Sequence, residues 1–275
     1  MVKGVSIEDI KLYRRKGQYI LIDEEVINRQ IDHAELTKKE TVLEIGSGLG
    51  ALTFKLAERA GKVIAIEKDS RMFSFLKSKI PSNIELINAD VLEIELPKFD
   101  VVVSNLPYQI SSPVTFKLLN LRFRKAILMF QKEFAQRMVA KSGGKGYSRL
   151  SVNVYYRAEA RILEFVSRNA FYPVPEVDSA IVELVPRQPP FQVINEKTFY
   201  NVVDTLFGHR RKKIKNALVN LVSEEMRETR KFSKSSLKEI IQGLRYGDQR
   251  VEKLSPEKIG KLADDLFLSL NRYRK

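Results

Sequence analysis

Cysteine is absent from all 275 residues. That excludes disulfides, thiolate-bound metals and a cysteine nucleophile. Histidine is nearly absent: the sequence has 2, His33 and His209, too few for a histidine-based metal site, and no metal is expected. Long apolar runs are missing too. A membrane helix needs about 20 consecutive apolar residues, and no stretch approaches that, so no membrane partner is expected. The opening MVKGVSIEDIKLYRRKG lacks the apolar centre of a secretion signal, which makes the cytoplasm the expected location. Acid is the scarce charge, with 34 Asp+Glu against 48 Lys+Arg and a net charge of +14.

What is present fits a folded protein, with a hydrophobic content of 44%. The length suits a large domain with a small one. The basic excess points to a polyanionic partner. A composition adapted to heat explains some of the lysines, but not the excess of positive over negative charge. The excess is uneven: from Arg187 onward there are 20 Lys/Arg against 11 Asp/Glu, net +9, whereas the first 186 residues carry net +5. The tail is therefore the expected electrostatic footprint. A second basic feature is an N-terminal arm, with Lys11, Arg14, Arg15 and Lys16 around Tyr13.

Periodicity predicts short strands alternating with helices. A helix is expected at Glu24–Ile31. Strands are expected at Thr41–Ile45, Val63–Glu67, Ile84–Asn88, Phe99–Ser104 and Ala126–Phe130, with helices between them, and further strands near Arg161–Val166 and Ala180–Val185. This alternation argues for a parallel α/β sheet with its site at the strand C-termini. SGGKGYS at 142–148 reads as a loop. After PRQPP at 186–190 the pattern turns helical, with helices expected over Thr198–Phe207, Arg210–Val222, Ser236–Leu244 and Ser255–Leu270. The expected domains are 1–186, carrying the sheet and the basic arm, and 187–275, a small helical domain.

Two stretches carry chemistry. In EIGSGLG, Gly46, Gly48 and Gly50 allow the backbone to approach a ligand, and the following helix points its amide end at it. Glu67, 21 residues after Gly46, ends the next strand, where it can take ribose hydroxyls. These features alone fit a dinucleotide as well as S-adenosylmethionine. Two acids favour the latter. Glu44 precedes the first glycine, where it can face an amino-acid ammonium but would repel a pyrophosphate. Asp90, at the third strand end, can accept from an adenine amine.

The other stretch is Asn105-Leu106-Pro107-Tyr108, where the apolar run of Val101–Val103 opens into a polar turn. An adenine exocyclic amine is a poor nucleophile because its lone pair is delocalised into the ring. The Asn105 side-chain oxygen and the Leu106 carbonyl can accept its two hydrogens and shift the nitrogen toward a tetrahedral centre. Pro107 stiffens the turn, and the Tyr108 ring can stack on the base.

Taken together, GQYIL, EIGSGLGALT, IEKD, Asn88-Ala89-Asp90, NLPY, FQKEFAQRM, YSRLSV, FYPVPEVDSAIVEL and FGHRRKKIKN resemble the KsgA-type ribosomal RNA adenine dimethyltransferases. They run in family order from about Gly17 to Asn216. The resemblance implies a Rossmann-like class I methyltransferase sheet with a small C-terminal all-helical domain. It implies S-adenosylmethionine contacts at Tyr19, Leu21, Gly46, Glu67, Asp90 and Asn105. Tyr19 departs from the family, where Asn or His is common. The resemblance also places Phe171 against the target base, and Asp178 reads as a turn-setting residue. Arg210, Arg211, Lys212, Lys213 and Lys215, expected on a helix, suit RNA phosphates. The implied reaction is dimethylation of two adjacent adenosines near the 3′ end of small-subunit rRNA; the expected partner is that rRNA within an immature 30S-type subunit, and a monomer is the expected state. The alternatives are another adenine N6-methyltransferase and an RNA-binding assembly factor with little catalysis.

Overall fold

A computed structural model of the chain describes residues 12–14, 17–227 and 233–274. Lys11, Arg15 and Lys16 of the basic arm lie outside the described residues. The chain divides into two units. One comprises the residues through Gln136 and Ala158–Arg187; the other comprises Arg137–Arg157 and the residues from Gln188 onward.

The first unit is built from β1 (Ile20–Leu21), α1 (Glu24–Ala34), β2 (Thr41–Ile45), α2 (Ala51–Arg59), β3 (Lys62–Glu67), α3 (Ser70–Lys77), β4 (Ile84–Asn88), β5 (Val101–Asn105), α4 (Ser111–Leu118), β6 (Lys125–Gln131), β7 (Ala158–Val166), β8 (Phe171–Tyr172) and β9 (Ser179–Pro186). Among the described residues the sheet has seven strands in the order β4-β3-β2-β5-β6-β9-β7, and β1 pairs separately with β8. From β4 to β6 the pairing is parallel. The last two strands correct the all-parallel expectation: β9 runs antiparallel to both β6 and β7. Only a single 3-10 turn, Arg168–Ala170, and the two-residue β8 lie between β7 and β9, and without an α-helical crossover the two strands pair antiparallel.

Local chemistry explains the scaffold. α1 starts where the Asp23 carboxylate accepts from Glu25 N and Val26 N at 3.0 and 3.2 Å, a satisfied N-cap. Its apolar face, with Val26, Ile27 and Ile31, is buried against the sheet core of Val42, Val103, Ile127 and Met129. Val101 to Ser104 of β5 are buried throughout, as expected for a strand covered on both faces. The strand order reverses between β2 and β5, and such a switch point opens a crevice at the strand C-termini.

In the second unit, α6 (Arg149–Arg157), α7 (Glu196–Gly208), α8 (Ile214–Arg227), α9 (Lys234–Gly243) and α10 (Pro256–Arg274) pack together. The remaining helix, α5 (Lys132–Met138), carries the chain from one unit into the other. Assigning everything through residue 186 to the sheet domain leaves out why Arg137–Arg157 sorts with the helices. Tyr147, Val152 and Tyr156 belong to the same buried cluster as Phe199, Leu218 and Leu262. Tyr147 also donates to the Leu254 carbonyl at 2.8 Å. α8 is a second correction, starting at Ile214 rather than Arg210. Lys213 bridges to Arg250, while Ile214 N and Lys215 N donate to the carbonyls of Gln249 and Gly247. These bonds hold the preceding residues in a turn.

Candidate active site

The crevice opens into a cavity of about 710 Å³ in the first unit, bordered by Tyr19, Gly46, Gly48, Glu67, Asp90, Asn105 to Tyr108 and Phe171. On one wall Gly46 has φ +81°, and a Cβ there would lie 3.3 Å from Pro107 Cδ. Gly48 has φ +55°, and its Cβ would meet Ile20 Cδ1 at 3.1 Å. Both backbone conformation and space favour glycine at these positions. Glu67 organises the turn: its carboxylate accepts from Gly48 N and Asp69 N, each at 2.8 Å. Burial pushes the Glu67 carboxyl up, and these backbone donors oppose the shift. Asp90 borders the cavity but is already engaged, accepting from Lys68 Nζ at 2.5 Å and Leu92 N at 2.9 Å. The Lys68 ammonium holds its carboxyl below the usual range.

Two expected contacts fall elsewhere. Leu21 is buried in the core while its neighbours Tyr19 and Ile20 border the cavity. Within β1, Ile20 and Leu21 face opposite ways, which puts Leu21 in the core. Glu44 does not border the cavity. It is 1% exposed, and burial, reinforced by the charge of Glu67, raises its carboxyl to about 8.

On the facing wall, Asn105 ends β5 and its Oδ1 is buried without a hydrogen-bond partner. An unpaired buried acceptor is costly, and Asn105 itself lines the cavity. Leu106 is 3% exposed. Pro107 has φ −55°, the value its ring imposes. Tyr108 shares a hydrogen bond with the Ser179 hydroxyl at 2.9 Å. Its ring stacks on Tyr19, with centroids 5.7 Å apart and planes at 29°, and burial raises its phenol. Phe171 borders the same space, and its backbone pairs with Leu21 in the β1–β8 ladder. Asp178 accepts from Arg168 N at 3.1 Å, holding the turn before β9.

Sequence reasoning missed the strap at the cavity rim. Gln18 donates to Asp69 Oδ2 at 2.9 Å and accepts from Tyr13 N at 2.9 Å. The Arg71 guanidinium sits 4.8 Å from the centroid of the Tyr13 ring. Arg71 also holds the Asp69 carboxyl well below the ordinary carboxylate range, with Gln18 adding to the effect. In the sequence the strap's members stand out only separately, Tyr13 in the basic arm, Gln18 in GQYIL and Asp69 in IEKD, where Asp69 also caps α3.

The donor and acceptor set fits S-adenosylmethionine. The backbone cradle at Gly46 and Gly48 gives close approach, Glu67 can take ribose hydroxyls, and the volume lies within the range of ligand sites. Among the described residues no group of three or more His, Asp or Glu is placed to hold a metal. No helix among them is long and apolar enough to cross a membrane.

A Rossmann-like sheet with this crevice at its switch point defines a class I S-adenosylmethionine-dependent methyltransferase. A family model described as ribosomal RNA adenine dimethylase matches residues 10–252. A probable ribosomal RNA small subunit methyltransferase A of Thermococcus sibiricus is 48% identical, over 95% of this chain and 94% of that protein. Its counterpart in Methanosarcina acetivorans is 46% identical, over 93% and 95%. The crystal structure of a dimethyladenosine transferase from Plasmodium falciparum is 33% identical with TM-score 0.77, covering 92% of this chain and 98% of that one. That of the 23S rRNA methyltransferase ErmE gives 30% and 0.65, covering 90% and 99%. The chain belongs to the ribosomal RNA adenine dimethylase family, and it is an S-adenosylmethionine-dependent enzyme dimethylating adenine in small-subunit rRNA.

In the second unit the basic residues occupy the turn between α7 and α8, and of the five only Lys215 is helical. Lys213 and Lys215 share Asp248, at 3.2 and 2.8 Å. Arg210 lies 3.7 Å from Glu252 and donates to the Gly144 carbonyl at 3.4 Å. Arg211 and Lys212 are exposed.

Proposed function

We propose that this enzyme dimethylates two adjacent adenosines near the 3′ end of small-subunit rRNA, acting as a monomer on immature 30S-type subunits in the cytoplasm. The observation that carries the site assignment is the buried, unpartnered Oδ1 of Asn105. Asn105 lines the cavity, and a turn of its side chain toward an arriving amine satisfies that acceptor. Leu106 supplies the second acceptor through its carbonyl. Together they orient the two hydrogens of an extruded adenine and leave its lone pair facing the cofactor wall. Tyr108 and Phe171 hold the flat base, and Tyr19 backs Tyr108. Glu67 with the Gly46–Gly48 backbone holds the cofactor. Bound S-adenosylmethionine supplies an electrophilic methyl group. The protein contributes position and electrostatics, the two effects that dominate in-line displacements. In the second unit the turn of residues 210–213, with Lys215 at the start of α8, contacts RNA phosphates.

Asn105→Ala should slow methyl transfer by about a hundredfold or more, the scale for losing one transition-state hydrogen bond, while RNA affinity is retained. After one methylation a single N–H remains, so the variant should accumulate monomethyladenosine. Nucleoside mass spectrometry of unmethylated small subunits over a time course measures both effects. Full dimethylation at the wild-type rate would remove the assignment. Methylation of large subunits instead would move the substrate to the kind of RNA named for ErmE.

A further inference from the structure

The two walls of the cavity belong to strands that part company. β2 and β5 pair at Val42↔Val101 and Leu43↔Val102 and no further. β5 continues beside β6 as far as Asn105↔Met129, and β2 continues beside β3 as far as Ile45↔Ile66. The cofactor turn therefore hangs on one half of the sheet and Asn105 on the other. Such a splay leaves backbone groups of β2 facing a gap.

One side chain spans it. Ile45 N, immediately before Gly46, donates to the Ser104 hydroxyl at 2.7 Å. Ile45 is 1% exposed and Ser104 0%, so this bond does not compete with water. Ser104 is itself braced from behind, because Gln30 Nε2 of α1, also fully buried, donates to the carbonyls of Ser104 and Ile127 at 3.3 and 3.4 Å. Beyond the polar bridge the halves are close again where Gly46 faces Pro107.

We propose that Ser104 is a positioning residue, whose hydroxyl replaces the missing β2–β5 ladder and sets the separation between the cofactor turn and the amine acceptor Asn105. This rests on the roles given above to Gly46 and Asn105. Ser104 touches neither reactant. It acts by joining the residue before each reactant-binding group: Ile45 precedes Gly46, and Ser104 precedes Asn105. Without the hydroxyl, the Ile45 N–H is buried and unpaired, and the strand ends relax until it finds a partner. A misplacement of about 1 Å in such a reaction costs about a hundredfold in rate. Binding of either reactant alone rests mainly on its own wall and is largely spared.

The test compares the full-length Ser104→Ala and Ser104→Thr variants in single-turnover methylation of unmethylated small subunits. S-adenosylmethionine affinity, subunit affinity and melting temperature are measured alongside. Ser104→Ala should lower the single-turnover rate about 10- to 100-fold, with both affinities within about threefold of wild type. It should also raise the ratio of monomethyl- to dimethyladenosine. Ser104→Thr, which keeps the hydroxyl, should restore most of the rate. If Ser104→Ala does not fold, Ser104→Cys, a weaker acceptor of the same shape, should give an intermediate rate. A lower melting temperature with an unchanged rate would make the hydroxyl purely structural and overturn the proposal. So would a rate loss matched by an equal loss of cofactor affinity. If Asn105→Ala is impaired while Ser104→Ala is not, only the positioning role fails; if neither is impaired, the site assignment itself fails.

Discussion

At the scale of single residues, Glu44 shows how position in a strand changes what an acid does. Beside a glycine turn it is the natural partner for an ammonium group, yet it is sealed inside with one carboxyl oxygen unpaired. Its value of about 8 has a consequence for stability. Below the unfolded value of 4.5 both states carry the proton and no penalty arises. Between 4.5 and about 8 the unfolded chain releases it while the folded chain retains it, so stability falls as pH rises and levels off above that window. The slope contributed approaches about 1.4 kcal/mol per pH unit. Glu44→Gln, which cannot ionise, should remove that slope. Denaturant titrations of the free enzyme at pH 5 and pH 8 check this: the variant should gain on wild type at the higher pH. Equal pH dependence in the two proteins would mean that Glu44 ionises freely in the folded state.

At the scale of elements, the basic turn before α8, with Lys215 in the helix's first turn, is the informative case. Its residues were legible as a basic group suited to RNA phosphates, but not their conformation or their pairing. Lys213 and Lys215 are already neutralised in part by Asp248, which leaves exposed Arg211 and Lys212 as the stronger phosphate ligands. Replacing both with Gln should weaken binding to small subunits and flatten the log–log salt dependence by about 1.5, two phosphate contacts' worth. S-adenosylmethionine affinity should not change. Filter binding across a salt series measures the slope, and an unchanged slope would leave the turn without an RNA role.

The same scale shows what the sequence makes visible. β2 and β4 were readable residue for residue, because TVLEI and IELIN are short, rich in β-branched residues and set between predicted helices in a repeating strand-helix order. α6 was not: RLSVNVYYR is rich in β-branched and aromatic residues that are weak helix formers, and tertiary burial of Val152 and Tyr156 decides its state. The directions of β7 and β9 were hidden because apolar periodicity is the same for either direction. The glycine turn, Glu67 and Asn105 were readable through their chemistry. Ser104, Gln18 and Ser179 were not, because their roles depend on partners 50 or more residues away. The engagement of Asp90 by Lys68 was equally invisible.

At the scale of the whole molecule, the second unit is discontinuous in sequence, which bears on any attempt to isolate it. A fragment of 188–275 lacks Tyr147 and Tyr156, whose rings pack 5.3 Å from Phe207 and 4.8 Å from Phe199. Each buried aromatic removed costs about 3–5 kcal/mol, a large part of the stability of a small domain. The fragment should therefore keep helical circular dichroism but bind a hydrophobic dye and show poorly dispersed NMR spectra. A sharp, cooperative melt comparable to that of the intact chain would show that the four helices α7 to α10 suffice.

β9 is made last among the strands, yet it sits inside the sheet, between β6 and β7. A nascent chain that has emerged only as far as residue 178 therefore presents β6, whose first six residues are all buried in the finished fold, with one edge still open. Exposed apolar edges recruit other chains. The catalytic unit is thus most vulnerable to aggregation late in its own translation, in the interval before Ser179–Pro186 leaves the exit tunnel. A holdase chaperone that shields strand edges would be most useful during that interval.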